Sequence, residues 1–374
     1  MTTFTMLPND LVLNCLARVS RLYYPTISIV SKRFRSLLAS IELYQTRELL
    51  CRTETCLYVC LELPTYYNSQ HWFTLCRRPN SSKKVLVPII SPSSPSTHQS
   101  DFARVGHKIY AVGGHINSDN ESTSVMVMDC RSHTWSDAPS MLDARVTPSV
   151  CVLDGKIYVM GGCTNLDATN WMEVFDTKTQ TWEFVPSSLD EKICSRFRYQ
   201  SFAYDGNVYM NPIGKPDVYK MTNKGRWRAG HLALAQGWIC LSPYCVIENV
   251  LYCYLYGRIR WYDFQIKCWK ELEGLENLVS FRRYATKLAD YGGKLALLWD
   301  DNACGQSGPP YIDAKTLNEC QPDTNIFCAE IALEKRQGGT IWGTLECLDV
   351  VYTTKEPYTV AHVVAATSYR GSSE

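Results

Sequence analysis

The sequence predicts a mainly β protein in which four-stranded antiparallel sheets repeat around a ring, preceded by a small helical unit. Short strands with alternating apolar residues, separated by turn residues, indicate the sheets, and their pattern returns about every 50 residues. An N-terminal stretch with apolar residues at helical spacing indicates the helices. A lone four-stranded sheet cannot bury both of its faces, so we expect the sheets to pack against one another.

The clearest copy of the repeat lies between Pro148 and Trp182. It predicts strands at residues 150–153, 156–160 and 172–176, with two glycines after the second strand and a fourth strand that begins at Trp182. An earlier copy places Tyr110 and Trp135 before Tyr158 and Trp182 by 48 and 47 residues. Weaker copies follow, with tryptophans at 227 and 269 and a strand pair from residue 291.

This repeat resembles the kelch motif, and the resemblance implies a kelch-type β-propeller. Paired glycines permit a backbone with positive φ, and each Trp is wide enough to fill the wedge between neighbouring blades. We predict six blades. Five or seven remain alternatives, because Pro212 and Ile213 occupy one of the expected Gly-Gly positions, and Leu255 and Tyr256 another. The predicted blades are residues 101–139, 145–186, 196–230, 237–273 and 281–348, with a closing blade made from 358–368 and 56–77.

The first fifty residues have a different character, with apolar residues at helical spacing. Pro8 suits the first position of a helix, Pro25 begins a second helix, and Ser40 is the expected cap of a third. Three short helices make a poor core by themselves, so another part of the chain should cover them. The predicted apolar faces are Leu11, Cys15, Leu16 and Val19 in the first helix, Ile29, Val30, Phe34, Leu37 and Leu38 in the second, and Leu43 and Tyr44 in the third.

The same segment contains LPxxL from Leu7, then YYPT, VSKRFRSLL and SIELYQTR in that order. Residues 6–47 thereby resemble the F-box, and in particular the F-box of the plant F-box/kelch family, although Ile27 stands where that family more often has Leu. The resemblance implies that residues 1–50 bind a Skp-type adaptor and, through it, a cullin, while residues 51–374 form the propeller. It implies that the adaptor interface or its support consists of Leu7, Pro8, Leu11, Leu16, Ile29, Val30, Phe34 and Leu37. The alternative for any one of these positions is intramolecular core.

Residues 51–100 are predicted to begin the closing blade. Strands are expected at 57–61 and 71–76, with Trp72 as the blade tryptophan, followed by an exposed Pro- and Ser-rich connection over 78–100. The apolar segment 358–368 has no local partner. Pairing it with 57–61 would remove an exposed edge strand.

Long loops are expected at one end of the ring, where the second-to-third and fourth-to-first connections meet. Such loops on a rigid scaffold are the usual place for recognition. Three arginines, each ten residues before a turn glycine, should approach this end. They could bind an acidic group or tie blades together, and the structural role is the favoured one. The candidate target-binding residues are His115, Asn165, Trp171, Arg145, Arg196 and Arg283.

Composition excludes several partners. Lysine and arginine together number 38 and the acidic residues 37, so no strong field draws the whole molecule to nucleic acid or membrane. No apolar run reaches the ~18 residues that span a bilayer, and Asp10 and Asn14 argue against a signal peptide. We expect an intracellular protein of the nucleus, the cytoplasm or both. Its 17 cysteines show no CxxC pair and should be reduced and buried, with zinc binding or disulfides as alternatives.

No enzymatic motif is present. The chain has no HExxH, no Gly-rich phosphate loop and no GxSxG, and His107 and His115 lie about 26 Å apart along one predicted strand, too far for one metal. We therefore predict no metal and no cofactor. The predicted function is a substrate-recognition subunit of a ubiquitin ligase, with an unknown target protein bound by the propeller. A non-ligase interaction scaffold and, less favoured, an enzymatic propeller are the alternatives.

Overall fold

The computed structural model of the chain describes most of the sequence. The described residues are 7–63, 70–78, 80–91, 95, 99–116, 120–163, 170–186, 198–213, 215, 217–222, 225–238, 242–255, 257–275, 286–301 and 323–367. Within them, a helical unit precedes a ring of β-sheets, so the mainly β fold class is confirmed. None of the helices in these ranges is both long and apolar enough to cross a membrane.

The N-terminal unit contains four α-helices and one 3-10 turn, which pack around a shared apolar core. Ser31 and Ser40 cap two of the helices, because their side chains accept hydrogen bonds from the backbone N–H groups of Phe34 and Leu43. The elements are α1 (Asn9–Ala17), the 3-10 turn (Arg21–Tyr23), α2 (Tyr24–Ser28), α3 (Lys32–Leu38) and α4 (Ile41–Leu49).

Two details of the helix prediction are wrong. The second predicted helix is divided in two, because Ser31 adopts an extended backbone and caps α3 instead of continuing α2. The buried face of α1 consists of Val12, Leu13, Leu16 and Ala17, whereas Leu11 and Cys15 are exposed. The expected cap at Ser40 is confirmed.

After the helical unit, the described residues contain 26 strands and one further helix, α5 (Leu232–Gly237). In chain order the strands are β1 (Thr55–Glu62), β2 (Gln70–Arg77), β3 (Lys84–Pro88), β4 (Asp101–Val105), β5 (Lys108–Val112), β6 (His115–Ile116), β7 (Asn120–Glu121), β8 (Val125–Asp129), β9 (Thr134–Ala138), β10 (Ser149–Leu153), β11 (Lys156–Met160), β12 (Met172–Asp176), β13 (Thr181–Phe184), β14 (Tyr199–Tyr204), β15 (Asn207–Pro212), β16 (Tyr219–Met221), β17 (Trp227–Ala229), β18 (Tyr244–Ile247), β19 (Val250–Leu255), β20 (Arg258–Asp263), β21 (Cys268–Glu271), β22 (Lys287–Tyr291), β23 (Lys294–Asp300), β24 (Thr324–Arg336), β25 (Thr340–Thr354) and β26 (Thr359–Thr367).

Of these strands, 24 form six four-stranded antiparallel sheets, the six blades of a β-propeller, and β6 and β7 pair with each other in a two-stranded sheet. Blades 1 to 5 have the strand orders β4-β5-β8-β9, β10-β11-β12-β13, β14-β15-β16-β17, β18-β19-β20-β21 and β22-β23-β24-β25. Blade 6 has the order β26-β1-β2-β3, so its inner strand comes from the C-terminal part of the chain. The predicted number of six blades is confirmed.

The ring closes where β26 pairs with β1 over the register from Thr55 opposite Thr367 to Glu62 opposite Thr359. The predicted exposed connection after residue 77 is wrong in part, because Lys84–Pro88 forms β3 and pairs with β2. Trp72 accordingly lies on the third strand of blade 6 and does not begin its fourth. It still fills an interblade wedge, since its ring lies 5.7 Å from that of Trp135 in blade 1.

Cysteines contribute to the core as small apolar residues. The cysteines within the described ranges are free thiols, and several are buried on strands. Burial raises the pKa of Cys130 and of Cys151 to about 12, so both thiols stay protonated and unreactive at neutral pH.

The paired glycines adopt the backbone expected of them. Gly161 and Gly162 have φ values of 68° and 75°. A Cβ on Gly162 would lie 2.3 Å from the carbonyl oxygen of Val146. Val146 belongs to the segment that leads into the first strand of the same blade. Glycine is therefore required both for conformation and for close approach.

We expect Gly162→Ala to lower the free energy of unfolding by about 2–3 kcal/mol, since it combines left-handed strain with a clash against backbone. Gly206→Ala is the matched control, because φ is 65° there and nothing lies within 4 Å of the added Cβ. Strain alone should cost that variant about 1 kcal/mol. Denaturant titrations of both variants test the difference, and equal losses would mean that the clash at Gly162 is relieved by a backbone shift.

Candidate functional site

The helical unit separates its apolar residues into a closed core and an exposed set. Leu16 and Leu43 are 4% and 0% exposed, whereas Leu11, Ile29 and Val30 are 53%, 75% and 64% exposed. Exposing large aliphatic side chains on a unit this small is unfavourable, so such a set marks a surface that another molecule can cover.

The eight positions predicted for adaptor binding divide between surface and core. Pro8, Leu11, Ile29 and Val30 are exposed, and Leu7 is half-buried. Leu16, Phe34 and Leu37 are buried in the helical core, so these three can only support an interface. We name the exposed group Pro8, Leu11, Ile29 and Val30 the apolar surface of the helical unit.

Arginines of α3 hold the parts of this unit together. Arg33 donates from Nη2 to the carbonyl oxygen of Leu7 at 2.6 Å and to Oδ1 of Asn9 at 2.7 Å, which fixes the start of α1 beside α3. Arg35 donates from Nε to the carbonyl oxygen of Ser28 at 3.3 Å. The bonds from Arg33 keep the segment that contains Pro8 next to α3.

An ion pair between a buried arginine and a half-buried glutamate connects the helical unit to the propeller. Arg47, 1% exposed, lies 3.2 Å from Oε1 of Glu54, the residue just before β1. Its Nη1 also donates to the carbonyl oxygens of Ala17 and Val19 and to the hydroxyl of Tyr24. Several bonds to one buried guanidinium offset its loss of hydration, so Arg47 joins three parts of the helical unit to the first blade strand.

Arg21 makes the second connection. Its Nη2 donates to the carbonyl oxygen of Cys130 at 2.7 Å, in the turn between β8 and β9 of blade 1. The hydroxyl of Tyr58 donates to the same carbonyl at 2.8 Å, and that of Tyr44 donates to the carbonyl oxygen of Arg131 at 3.2 Å. Burial, together with the charge of Arg21, lowers the pKa of nearby His133 to about 4, so this histidine is neutral at physiological pH.

The helical unit is attached at one end of the ring, and the predicted recognition loops lie at the other. The start of β1 and the β8–β9 turn lie at one end, and the helical unit is attached there. The connections that follow β5 and β11, where the recognition loops are predicted, lie at the other end because strands in a blade alternate in direction.

Arg145, one of the predicted target-binding residues, is built into the scaffold. It forms an ion pair of 2.7 Å with Glu173, and both side chains are 0% exposed. Arg145 also donates to the carbonyl oxygens of Gly161, Asn170 and Trp171. The structural role favoured for Arg145 is therefore the one observed, and its side chain is not available to a target.

Trp171, another candidate for target binding, is buried. It is 0% exposed, and its ring lies 5.8 Å from Tyr199 and 5.6 Å from Trp227 in blade 3. It fills an interblade wedge, which removes it from the surface. His115 begins the short β6–β7 hairpin, at the end of the ring opposite the helical unit, and is half-buried. Asn165, Arg196 and Arg283 lie outside the described residues.

In the part of the chain that the structure describes, no three His, Cys, Asp or Glu side chains are grouped as the ligands of a metal ion would be. Among the described residues, the buried polar groups of the junction and around Arg145 are structural. The helical unit exposes Leu11, Ile29 and Val30 of its apolar surface.

Comparison with known proteins agrees with this arrangement. Residues 4–46 match the F-box domain, and residues 72–352 match the FKB95 Kelch-repeats domain. The fold and its two units thus define an F-box protein with a kelch-repeat propeller, an architecture typical of substrate adaptors.

Relatives in Arabidopsis thaliana extend the similarity to nearly the whole chain. One F-box/kelch-repeat protein is 51% identical over 369 residues, covering 95% of this chain and 93% of the relative. A putative F-box/kelch-repeat protein is 46% identical over 370 residues, covering 97% and 96%. Another putative member is 52% identical over 365 residues, covering 97% and 93%. The chain belongs to the F-box/kelch-repeat family.

Proposed function

We propose that this chain is the substrate-recognition subunit of a Skp-cullin-F-box ubiquitin ligase. Its apolar surface, made of Pro8, Leu11, Ile29 and Val30, binds a Skp-type adaptor that is in turn carried by a cullin. The propeller binds the target protein at its opposite end. The observation that carries the proposal is the exposure of Leu11, Ile29 and Val30 beside the packed core of the helical unit. Ile41 and Leu49 of α4 are exposed as well.

The attachment of the two units supports a rigid adaptor. Ion pairs and charge-assisted hydrogen bonds from Arg47 and Arg21 join the helices to blades 6 and 1. A fixed junction holds a bound target at a defined distance from the adaptor. The chain then acts by raising the effective concentration of target lysines near a ubiquitin-loaded enzyme, and none of its own residues performs the transfer.

Binding of a purified Skp-type adaptor to the full chain tests the proposal. We expect the double variant Ile29→Asp/Val30→Asp to bind at least about tenfold more weakly than the wild type, because it places two charges in the centre of an apolar contact. Both side chains point to solvent, so folding should be unaffected.

Ile266→Asp is the matched control, since Ile266 is 61% exposed on the distant β20–β21 turn of blade 4. It should bind the adaptor as the wild type does. If the folded wild type fails to bind any Skp-type adaptor, or if both variants bind equally well, the ligase proposal is wrong. The ring would then be an interaction scaffold without a ligase role.

A further inference from the structure

A crevice of about 270 Å³ lies at the junction, between the helical unit and the propeller. The helical unit lines it with apolar groups that include Pro25 and Leu38, and blade 6 lines it with Leu75, Val87 and Pro88. We call this space the junction crevice. Its volume lies near the lower end of small-molecule sites and leaves room for a body of about one or two aromatic rings.

The charged groups of the junction crevice are all cationic. Arg21, Arg35 and Arg131 line it, and the described lining residues contain no aspartate or glutamate. Arg131 is neutralised in part, because its Nε and Nη2 contact the carboxylate of Asp129 just outside the crevice. Arg35, whose contact within the described residues is with a carbonyl oxygen and not with a carboxylate, therefore contributes positive charge to the crevice.

Two guanidinium groups retain hydrogen-bonding capacity. Arg35 uses only Nε, which donates to the carbonyl oxygen of Ser28, and Arg131 uses Nε and Nη2. Within the described ranges, both terminal nitrogens of Arg35 and Nη1 of Arg131 have no hydrogen-bond partner. Guanidinium groups bind carboxylate and phosphate oxygens with matching geometry. A molecule bound in the junction crevice should therefore be an anion.

We propose that the junction crevice binds a small organic anion. A carboxylate or phosphate group lies on Arg35 and Arg131, and an apolar body lies between Pro25 and Leu38 on one side and Val87 and Pro88 on the other. Such a ligand contacts both units at once and so stabilises their relative position. This inference is independent of the identity of the target.

Calorimetric titration of the purified full chain tests the site. The probes are 1-naphthyl phosphate and 1-naphthoate, with 1-naphthylmethanol as the neutral analogue of similar shape. We expect the two anions to bind saturably at roughly millimolar concentration or below, and the alcohol to bind about tenfold more weakly because it lacks the charge. Raising the salt concentration should weaken only the anions.

Substitutions of the arginines that line the junction crevice test whether the anions bind there. Arg35→Gln and Arg131→Gln should each weaken the anions about tenfold, by loss of a charge-assisted hydrogen bond. The control is Arg258→Gln, which changes an exposed arginine paired with Glu271 on blade 4 and should have no effect. Arg35 is exposed and makes one long hydrogen bond, so Arg35→Gln decides the matter even if Arg131→Gln fails to fold. Lack of anion binding by the wild type, equal binding of the alcohol, or unchanged binding by Arg35→Gln would overturn the proposal.

Discussion

Replacing Arg145 by methionine should lower the free energy of unfolding by about 3–5 kcal/mol, the usual effect of leaving a buried charge without its partner. Glu173 is 0% exposed, and its Oε1 lies 2.7 Å from Nε of Arg145. The substitution also leaves the carbonyl oxygen of Asn170 without the hydrogen bond it receives from Arg145. Methionine keeps much of the side-chain volume, so the loss reports the charge and hydrogen bonds more than a cavity.

Arg258→Met is the matched control for this prediction. Arg258 also contacts a carboxylate, that of Glu271, but the two side chains are 63% and 48% exposed. Exposed pairs contribute little, so the control should lose less than about 1 kcal/mol. Denaturant titration followed by tryptophan fluorescence measures both variants. A loss for Arg145→Met no larger than that of the control would show that the pair around Arg145 does not hold blade 2 together.

The repeat pattern predicted the blades well because a strand in a propeller is specified locally. In blade 2, the alternation of apolar residues and the turn at Asp154 and Gly155 give strand positions that agree with β10 to β12. Blade 1 shows the same agreement. The ring is complete although Pro212 and Leu255 stand where the repeat predicts glycine. Interblade packing of apolar side chains maintains the arrangement without the glycines.

Some features that depend on which segments pack together could not be predicted in this way. The Pro- and Ser-rich flanks of β3 predict an exposed connection, but antiparallel pairing with β2 makes it the outer strand of blade 6. Trp171 lies in a loop by sequence, yet Tyr199 and Trp227 of the next blade bury it. Neither contact leaves a periodic signal in the chain.

The junction was missed for a related reason, although one signal was available. Arg47 lies four residues after Leu43 on α4 and thus on the same, buried face of the helix. A charged residue at such a position needs a partner, but the sequence alone does not identify Glu54 as that partner. Arg33 of α3 likewise holds the start of α1, a contact that the sequence does not identify.

The apolar surface could be predicted only as a set of candidate positions. The resemblance to the F-box implies that Leu16 and Ile29 both form or support the adaptor interface, whereas the structure shows that Leu16 is core and Ile29 is exposed. The division of the predicted helix at Ser31 explains this difference. It leaves Ile29 and Val30 in the turn between α2 and α3, where both side chains are largely exposed to solvent.

Removing residues 358–374 should abolish cooperative folding of the propeller, the largest effect expected from any change considered for this chain. The deletion removes β26, the inner strand of blade 6, and with it the antiparallel pairing to the whole of β1. It exposes the face of β1 on which Leu57 and Val59 are fully buried, and it opens the ring between blades 5 and 1. Losses of this kind exceed the ~5–15 kcal/mol that keeps an ordinary domain folded, and an unpaired apolar edge favours aggregation.

A shorter truncation separates the contribution of β26 from that of the chain beyond it. A chain that ends at Thr367 keeps every residue pair between β1 and β26, including the contact of 2.9 Å between the hydroxyl oxygens of Thr55 and Thr367. It should remain monomeric in size-exclusion chromatography and unfold at the same temperature as the full chain. The longer deletion should elute as aggregate and show no cooperative transition. If it unfolds like the full chain, the ring does not depend on its C-terminal strand, because the remaining three strands of blade 6 would then be sufficient to close the propeller.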